Sequence, residues 1–170
     1  MTRYVALLRA VNVGGTGKLP MTNLVEMCTQ LGFTNVETYI ASGNVIFDSG
    51  ISPAKIRSGI QGSLLDWFGK PMGVTLRTAT EIAAVLAANP FPQTEPSRTY
   101  AIFLDDAPPV DALAHATGQS TEELRLVGRE IFIHYPQGMG RSKLKIPAAK
   151  SGTARNINTI ARLAEIAAKA

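Results

Sequence analysis

The sequence has little of several residue types that mark common protein classes. Its 170 residues include one Cys, one Trp and two His, and aromatic residues make up 6%. A single Cys excludes an internal disulfide and a multi-thiolate zinc site, so a small secreted disulfide framework is excluded and a cytoplasmic location is predicted. The apolar runs are far shorter than the roughly 18 residues of a membrane helix, so no membrane association is expected.

The remaining composition is that of an ordinary globular protein. Hydrophobic residues make up 45% and charged residues 18% of the chain. A chain of this length buries roughly 70% of its unfolded surface, enough for one core or two small subdomains. The histidines, His115 and His134, are not spaced as metal ligands, and no Ser, His and acid set is recognisable. The sequence therefore predicts no metal and no cofactor, and it leaves open whether the protein is an enzyme.

The positive charge is concentrated at the C-terminal end. The net charge is +4, and residues 141–170 carry seven Lys or Arg and one acidic residue. Such a basic segment favours an anionic partner, which is a phosphate, a nucleotide or a nucleic acid. The alternative is a solvated helix that is rich in Lys and Arg.

The first half of the chain has the pattern of a ferredoxin-like β-α-β-β-α-β unit. Pro20 is placed to begin a helix with Cys28 on its apolar face, and Ser52 with Pro53 is a typical helix start. Ser42 and Gly43 provide a turn between two strands. Four strands are predicted, over residues 2–10, 33–40, 44–48 and 72–77, with helices at 20–32 and 53–68.

The second half repeats this order in outline. Thr80 is predicted to cap a short helix at 81–88, and a proline-rich segment follows. Beyond that segment we expect strands at 100–104, 122–127 and 130–135, a helix at 110–116 and a last helix at about 154–168. The fold class is thus α+β in two layers, with a ferredoxin-like subdomain at 1–78, a second α/β subdomain at 79–140, and a basic loop with a C-terminal helix at 141–170 that packs back on the core.

A glycine-rich loop joins the first strand to the first helix. It fits neither a Walker A loop nor a dinucleotide-binding fingerprint, because Asn12, Leu19 and Pro20 stand where those motifs need other residues. The backbone N–H groups of Gly14 and Gly15, the helix N-terminus and Lys18 nevertheless form a corner that attracts anions. The alternative is a tight turn that uses glycine for its positive φ.

The C-terminal helix has cations where acidic residues are usual. With Thr153 as the cap, Arg155 and Asn156 fall in the first turn, and Arg155, Thr159 and Arg162 share one polar face. A cation there opposes the helix dipole by roughly 0.3 to 1 kcal/mol, and a bound anion would remove the conflict. The alternative is that Arg155 pairs with an acidic residue from the middle of the chain.

Two further groups of polar residues are candidates. Arg141 and Lys143 lie in a basic loop after two glycines, which either closes over a ligand or is a solvated charge run. Arg9 and Asn12 follow the first strand, and Ser42 and Asn44 precede the third. If these strands pair in antiparallel fashion, the four residues meet at one rim of the sheet. A left-handed turn is the alternative role for Asn44.

Three spaced motifs carry a resemblance to a bacterial family. Leu8-Arg9-Ala10-Val11-Asn12-Val13-Gly14-Gly15, Ser42-Gly43-Asn44-Val45-Ile46-Phe47 and Thr153-Ala154-Arg155-Asn156-Ile157-Asn158-Thr159 closely resemble the family known as domain of unknown function 1697. The family pattern usually has Gly at position 10 and an aromatic residue at position 157.

The resemblance implies two ferredoxin-like halves and assigns no activity. By that resemblance one site is shared by Arg9, Asn12, Gly14, Gly15, Lys18, Ser42, Asn44, Arg155, Asn156 and Thr159. The leading expectation is a small phosphorylated or nucleotide-like anion held between the glycine-rich loop and the N-terminus of the C-terminal helix, with Arg141 and Lys143 adding charge. The alternatives are a nucleic-acid binding module that uses the basic tail and a protein–protein interaction module. The oligomeric state is left open.

Overall fold

The computed structural model describes residues 1–12, 18–40 and 42–169. The chain divides into two units. The first unit comprises Met1–Ile82 with Leu163–Ala170, and the second comprises Ala83–Arg162.

The first unit contains the predicted β-α-β-β-α-β order. Its four strands form one antiparallel sheet in the order β2-β3-β1-β4. This is the arrangement of a ferredoxin-like unit, so the predicted fold class is confirmed. The elements are β1 (Thr2–Leu8), α1 (Met21–Gln30), β2 (Thr34–Thr38), β3 (Asn44–Ser49), α2 (Pro53–Phe68) and β4 (Val74–Thr78).

Local sequence signals account for the two helices of this unit. The side chain of Ser52 accepts a hydrogen bond from the backbone N–H of Lys55, and Pro53 occupies the first helical position of α2. Gly69 ends α2 with a φ of 73°, a left-handed conformation that glycine adopts without steric cost. Pro20 directly precedes α1, and a proline there prevents the helix from extending further towards the N-terminus. Both helices therefore begin within one residue of the predicted positions.

The core of the first unit lies between one face of the sheet and the two helices. Tyr4, Ala6 and Leu8 alternate along β1 and pack with Leu24 and Cys28 of α1 and with buried residues of α2. Burial raises the pKa of the Cys28 thiol to about 12. The predicted core position of Cys28 is confirmed.

The second unit repeats the sheet but not the helices. Its strands pair in antiparallel fashion in the order β6-β7-β5-β8. The predicted helix at 110–116 is wrong, because only a 3-10 turn forms at Ala112–His115. Pro108 and Pro109 precede that stretch, and seven residues are too few for an independent helix. The strands of the second unit are β5 (Thr99–Phe103), β6 (Glu123–Val127), β7 (Glu130–His134) and β8 (Thr153–Asn156). The two remaining helices, α3 (Ala79–Ala87) and α4 (Ile157–Ala168), each contain a boundary between the units.

The repeat extends to single residues. Val5 of β1 lies opposite Arg77 of β4, and Ala101 of β5 lies opposite Arg155 of β8. Both arginines are buried, and each donates a hydrogen bond from Nη1 to the carbonyl of the residue before it. A helix follows directly after each strand, α3 after β4 and α4 after β8. The two halves are thus versions of one strand order and register.

Candidate functional site

The ends of three strands lie together at one end of the first sheet. Leu7 lies opposite Asn44, the N–H of Leu8 donates to the carbonyl of Gly43 at 2.8 Å, and the N–H of Arg9 donates to the carbonyl of Gly73 at 2.9 Å. The end of β1 therefore meets the starts of β3 and β4. We call this end of the sheet the first rim and define it by residues 8–12, 18–19, 39–40, 42–44 and 73.

The side chain of Asn12 ties together the two ends of the glycine-rich loop. Its Oδ1 accepts from the backbone N–H of Leu19 at 2.6 Å, and its Nδ2 donates to the carbonyl of Leu19 at 3.0 Å. The side-chain amide of Asn12 thus forms hydrogen bonds with both the N–H and the carbonyl of Leu19, as the backbone of a neighbouring strand would do. Leu19 is buried, so Asn12 is bonded to a residue that is held in the core. Gly14 and Gly15, which were predicted to bind the anion, lie outside the described residues.

Backbone conformations that L-residues rarely adopt are concentrated at the first rim. Ala10 has a φ of 58°, Asn12 a φ of 59° and Ile40 a φ of 52°. Asn tolerates this left-handed region, but Ala and especially a β-branched Ile do not adopt it readily. Gly43 has a φ of 91°, and a Cβ there would lie 2.9 Å from the Cβ of Leu8. Among the described residues, three of the four non-glycine residues with positive φ belong to this rim.

Ser42 and Asn44 hold the turn that enters β3. Asn44 is fully buried, and its Nδ2 donates to the carbonyl of Tyr39 at 2.8 Å and to Oγ of Ser42 at 3.2 Å. Asn44 lies in extended strand, so the alternative role of a left-handed turn residue does not apply to it. The amide of Asn44 fixes the shape of the first rim from inside.

Arg9 and Lys18 are the cations of the first rim. Both residues are exposed. The stem of Arg9 passes over Gly73, where a Cβ would lie 3.2 Å from the Arg9 Cβ. The carbonyl of Lys18 accepts a hydrogen bond from Nε1 of Trp67 at 2.9 Å. Trp67 was not among the predicted site residues, although it is the single Trp of the chain.

The predicted position of Arg155 in the first turn of a helix is wrong. Arg155 lies in β8, paired with β5, and α4 begins at Ile157. Arg155 is 8% exposed, and burial lowers its pKa to about 10. Arg155 therefore does not oppose the dipole of α4, and it shares no helical face with Thr159 and Arg162. No conflict with the helix dipole is present at Arg155 for a bound anion to remove.

Asn156 is the cap of the C-terminal helix. Its Oδ1 accepts from the backbone N–H of Thr159 at 2.9 Å, which is the usual bond from an N-cap side chain to the third helical residue. Asn156 and Thr159 are thus adjacent, as predicted, but their contact stabilises the start of α4. One of the N–H groups that an anion would need there already has an acceptor.

Arg141 and Lys143 line a cleft of about 230 Å³ in the second unit. The carboxylate of Glu122 shares that cleft and accepts from Oγ of Ser142 at 2.5 Å and from the N–H of Ser120 at 2.6 Å. The hydrogen bond from Ser142 has the largest effect in lowering the pKa of Glu122, and the bond from Ser120 has the next largest. An incoming anion would therefore meet a negative charge beside the two cations.

The predicted residues thus form three groups. Arg9, Asn12, Lys18, Ser42 and Asn44 belong to the first rim, and Arg141 and Lys143 belong to the cleft of the second unit. Arg155, Asn156 and Thr159 lie at the junction of β8 and α4, and Gly14 and Gly15 are outside the described residues. Within residues 1–12, 18–40 and 42–169, no three His, Cys, Asp or Glu side chains are grouped as metal ligands. In the same ranges no helix has both the length and the apolar character to span a membrane.

Comparisons with known proteins agree with the fold. The family model described as "Protein of unknown function (DUF1697)" matches residues 1–132, well over half of the chain. Among solved structures, the conserved bacterial protein SP0830 from Streptococcus pneumoniae is similar, with 26% identity, a TM-score of 0.80 and 98% of each chain covered. A comparison with curated proteins finds no match.

Proposed function

We propose that this chain, which belongs to the family of unknown function DUF1697, binds a small phosphorylated or nucleotide-like anion at the first rim. Lys18 and Arg9 supply positive charge, and the backbone of the glycine-rich loop supplies N–H donors through Gly14 and Gly15. Asn12, Ser42 and Asn44 shape the rim. The proposal concerns binding, and it requires no nucleophile or general base.

The observation that carries the proposal is the concentration of left-handed residues around the base of that loop. A non-glycine residue in such a conformation costs of order 1–3 kcal/mol and persists where the surroundings hold it in place. The bonds of Asn12 to Leu19 and of Asn44 to Tyr39 and Ser42 provide that support. Conformations of this kind cluster at ligand sites, because a preformed loop loses less entropy on binding.

Charge favours this rim over the other two groups. Lys18 and Arg9 are exposed, whereas Arg155 is buried and Arg141 with Lys143 shares its cleft with the carboxylate of Glu122. A phosphate attracts cations that can reach it, and the hydrogen bond between a charged donor and an oxyanion contributes about 1.5–3 kcal/mol. The first rim is therefore the better anion site.

A ligand screen by thermal unfolding tests the proposal. The ligands are inorganic phosphate, nucleoside monophosphates, sugar phosphates and short oligonucleotides. A ligand at about 100 times its Kd adds about 2.7 kcal/mol, which raises Tm by roughly 5 to 11 °C for a chain of this size. Lys18→Ala and Arg9→Met should each weaken binding roughly tenfold or more. Arg9→Met retains the stem that covers Gly73.

Lys55→Ala is the matched control, because Lys55 is an exposed cation in the first turn of α2, which follows the opposite end of β3. Binding that is lost equally in Lys55→Ala and Lys18→Ala would reflect net charge and contradict a site at the first rim. A response confined to oligonucleotides, falling steeply with salt, would instead favour the nucleic-acid alternative.

A further inference from the structure

A polar cleft separates the two helices of the first unit beside Lys18. Its volume is about 310 Å³, at the lower end of the range of small-molecule sites, which suits one ring system rather than a dinucleotide. Most of its side chains carry hydrogen-bonding groups. Those that matter here are Asn23, Glu26, Gln30, Ser63, Asp66 and Trp67.

Trp67 forms an aromatic wall of this cleft. The side chain sits near the end of α2 and is 45% exposed, although a large ring gains free energy from burial. Its indole N–H donates to the carbonyl of Lys18 at 2.9 Å, so the ring is anchored by its polar edge. An anchored, half-exposed ring beside polar side chains is the usual platform for stacking a base or a sugar.

Two carboxylates determine which end of a ligand fits the cleft. Glu26 and Asp66 are exposed, and neither forms an ion pair with the residues that the structure describes. Ionised carboxylates accept hydrogen bonds from hydroxyl groups and repel phosphate. A ligand that enters this cleft therefore places its hydroxyl-bearing part here and its anionic part elsewhere.

We infer that this cleft holds the organic part of a ring-bearing phosphate ester, a nucleotide or a sugar phosphate, whose phosphate lies at the first rim. The ring stacks on Trp67, and its hydroxyls donate to Glu26 and Asp66. Trp67 connects the two places, because it lines the cleft and contacts Lys18 through the indole N–H. This inference rests on the proposed anion site and assigns the class of its ligand.

The tryptophan fluorescence of the protein comes from Trp67, a wall of the cleft, because the chain has a single Trp. Inorganic phosphate, adenosine monophosphate and glucose 6-phosphate are titrated separately, with calorimetry as the second measurement. We expect phosphate to bind without changing the fluorescence, and one of the esters to bind more tightly and to change it. The ester that does so distinguishes a nucleotide from a sugar phosphate.

Variants on both walls separate stacking from folding. Trp67→Leu should weaken binding of the preferred ester roughly 5- to 160-fold, the range for loss of one aromatic–base stack. It should weaken phosphate binding by a smaller factor, because Lys18 keeps its charge and loses only the bond from the indole N–H to its carbonyl. Asp66→Asn and Glu26→Gln, both at exposed positions, should weaken the ester but not phosphate. Thermal unfolding without ligand checks that each variant is folded.

Each outcome decides one of the two statements. If phosphate binds and neither ester binds more tightly, the inference about the cleft is wrong while the anion site stands. If no anion binds the wild-type protein, both are wrong. Tetramethylammonium is titrated in the same way as a test for cation binding. If it alone changes the fluorescence, the cleft binds cations through Trp67 and the carboxylates, and the inference is overturned.

Discussion

Replacing Ala10 with glycine should make the protein more stable, although the same replacement destabilises most proteins. Ala10 has a φ of 58°, where a Cβ crowds the following carbonyl. The methyl group is exposed, so its removal loses little burial. The glycine that the family pattern usually has at this position is free of that crowding.

The magnitude follows from two opposing terms. A left-handed conformation costs a non-glycine residue about 1–2 kcal/mol, and Ala10→Gly removes this cost. Glycine makes the unfolded chain more flexible, which subtracts about 0.4–1 kcal/mol. The net gain is about 0.8 kcal/mol, or roughly 2–3 °C in Tm for a chain of this length.

Urea and thermal unfolding of Ala10→Gly measure this gain, and Ala84→Gly is the matched control. Ala84 is also exposed but lies in the middle of α3, where glycine costs about 1 kcal/mol. The two variants should therefore move Tm in opposite directions. If Ala10→Gly lowers the stability as much as Ala84→Gly does, the left-handed backbone at the first rim is refuted, and the observation behind the proposed function is lost with it.

Three other predictions concern single contacts. Gly118→Ala should lower the free energy of unfolding by more than about 2 kcal/mol, because Gly118 has a φ of 71° and a Cβ there would clash with the carbonyl oxygen of Lys143. In the same urea titration, Gly128→Ala should lower the free energy of unfolding by less, because the space around Gly128 is open. Cys28 should resist iodoacetamide at pH 8.5 until the protein unfolds, because its raised pKa keeps the buried thiol protonated; fast labelling in buffer would contradict its place in the core. Glu122→Gln should increase tryptic cleavage after Arg141 and Lys143 at pH 8, because the bond from Ser142 to a carboxylate holds that loop. The pKa of Glu122 is lowered, so in the wild-type protein this carboxylate is ionised at the pH of the digestion. Unchanged cleavage in Glu122→Gln would show that other contacts hold the loop.

Sequence reasoning succeeded where the signals are local. Ser52 and Pro53 stand at the start of the helix that they specify, so α2 was predicted to begin at position 53 and to end at about position 68, as it does in the structure. The capping box of α3 is also local, but Thr78 forms it with Glu81, whereas Thr80 was predicted.

The site residue Arg155 was misplaced because its partner strand is distant in sequence. β8 pairs with β5, about fifty residues earlier, and no local rule identifies that pairing. A signal was nevertheless present. Thr75-Leu76-Arg77-Thr78 and Thr153-Ala154-Arg155-Asn156 both contain Thr-x-Arg followed by a capping residue. Aligning the two halves would have predicted a strand, a cap and a helix at both places.

The comparison of the two halves also bears on the proposed function. The sheet is kept in both, down to the bond from Leu8 to Gly43 and its counterpart from Leu104 to Arg129. After Leu104 the chain continues with Asp105-Asp106 and two prolines, where the first half has the glycine-rich loop and Lys18. The second sheet forms without such a loop, so the fold does not require one.

The cleft of the first unit has no counterpart in the second for the same reason. Where α1 lies between β1 and β2, the second unit has a 3-10 turn at Ala112–His115 between β5 and β6. Where α2 carries Trp67, residues 135–152 contain only short 3-10 turns. The loop, the two cations and the aromatic wall therefore occur in only one of the two halves, although both halves have the same strand order. The proposed anion site would account for their occurrence together on one half, because each of them has a role in it.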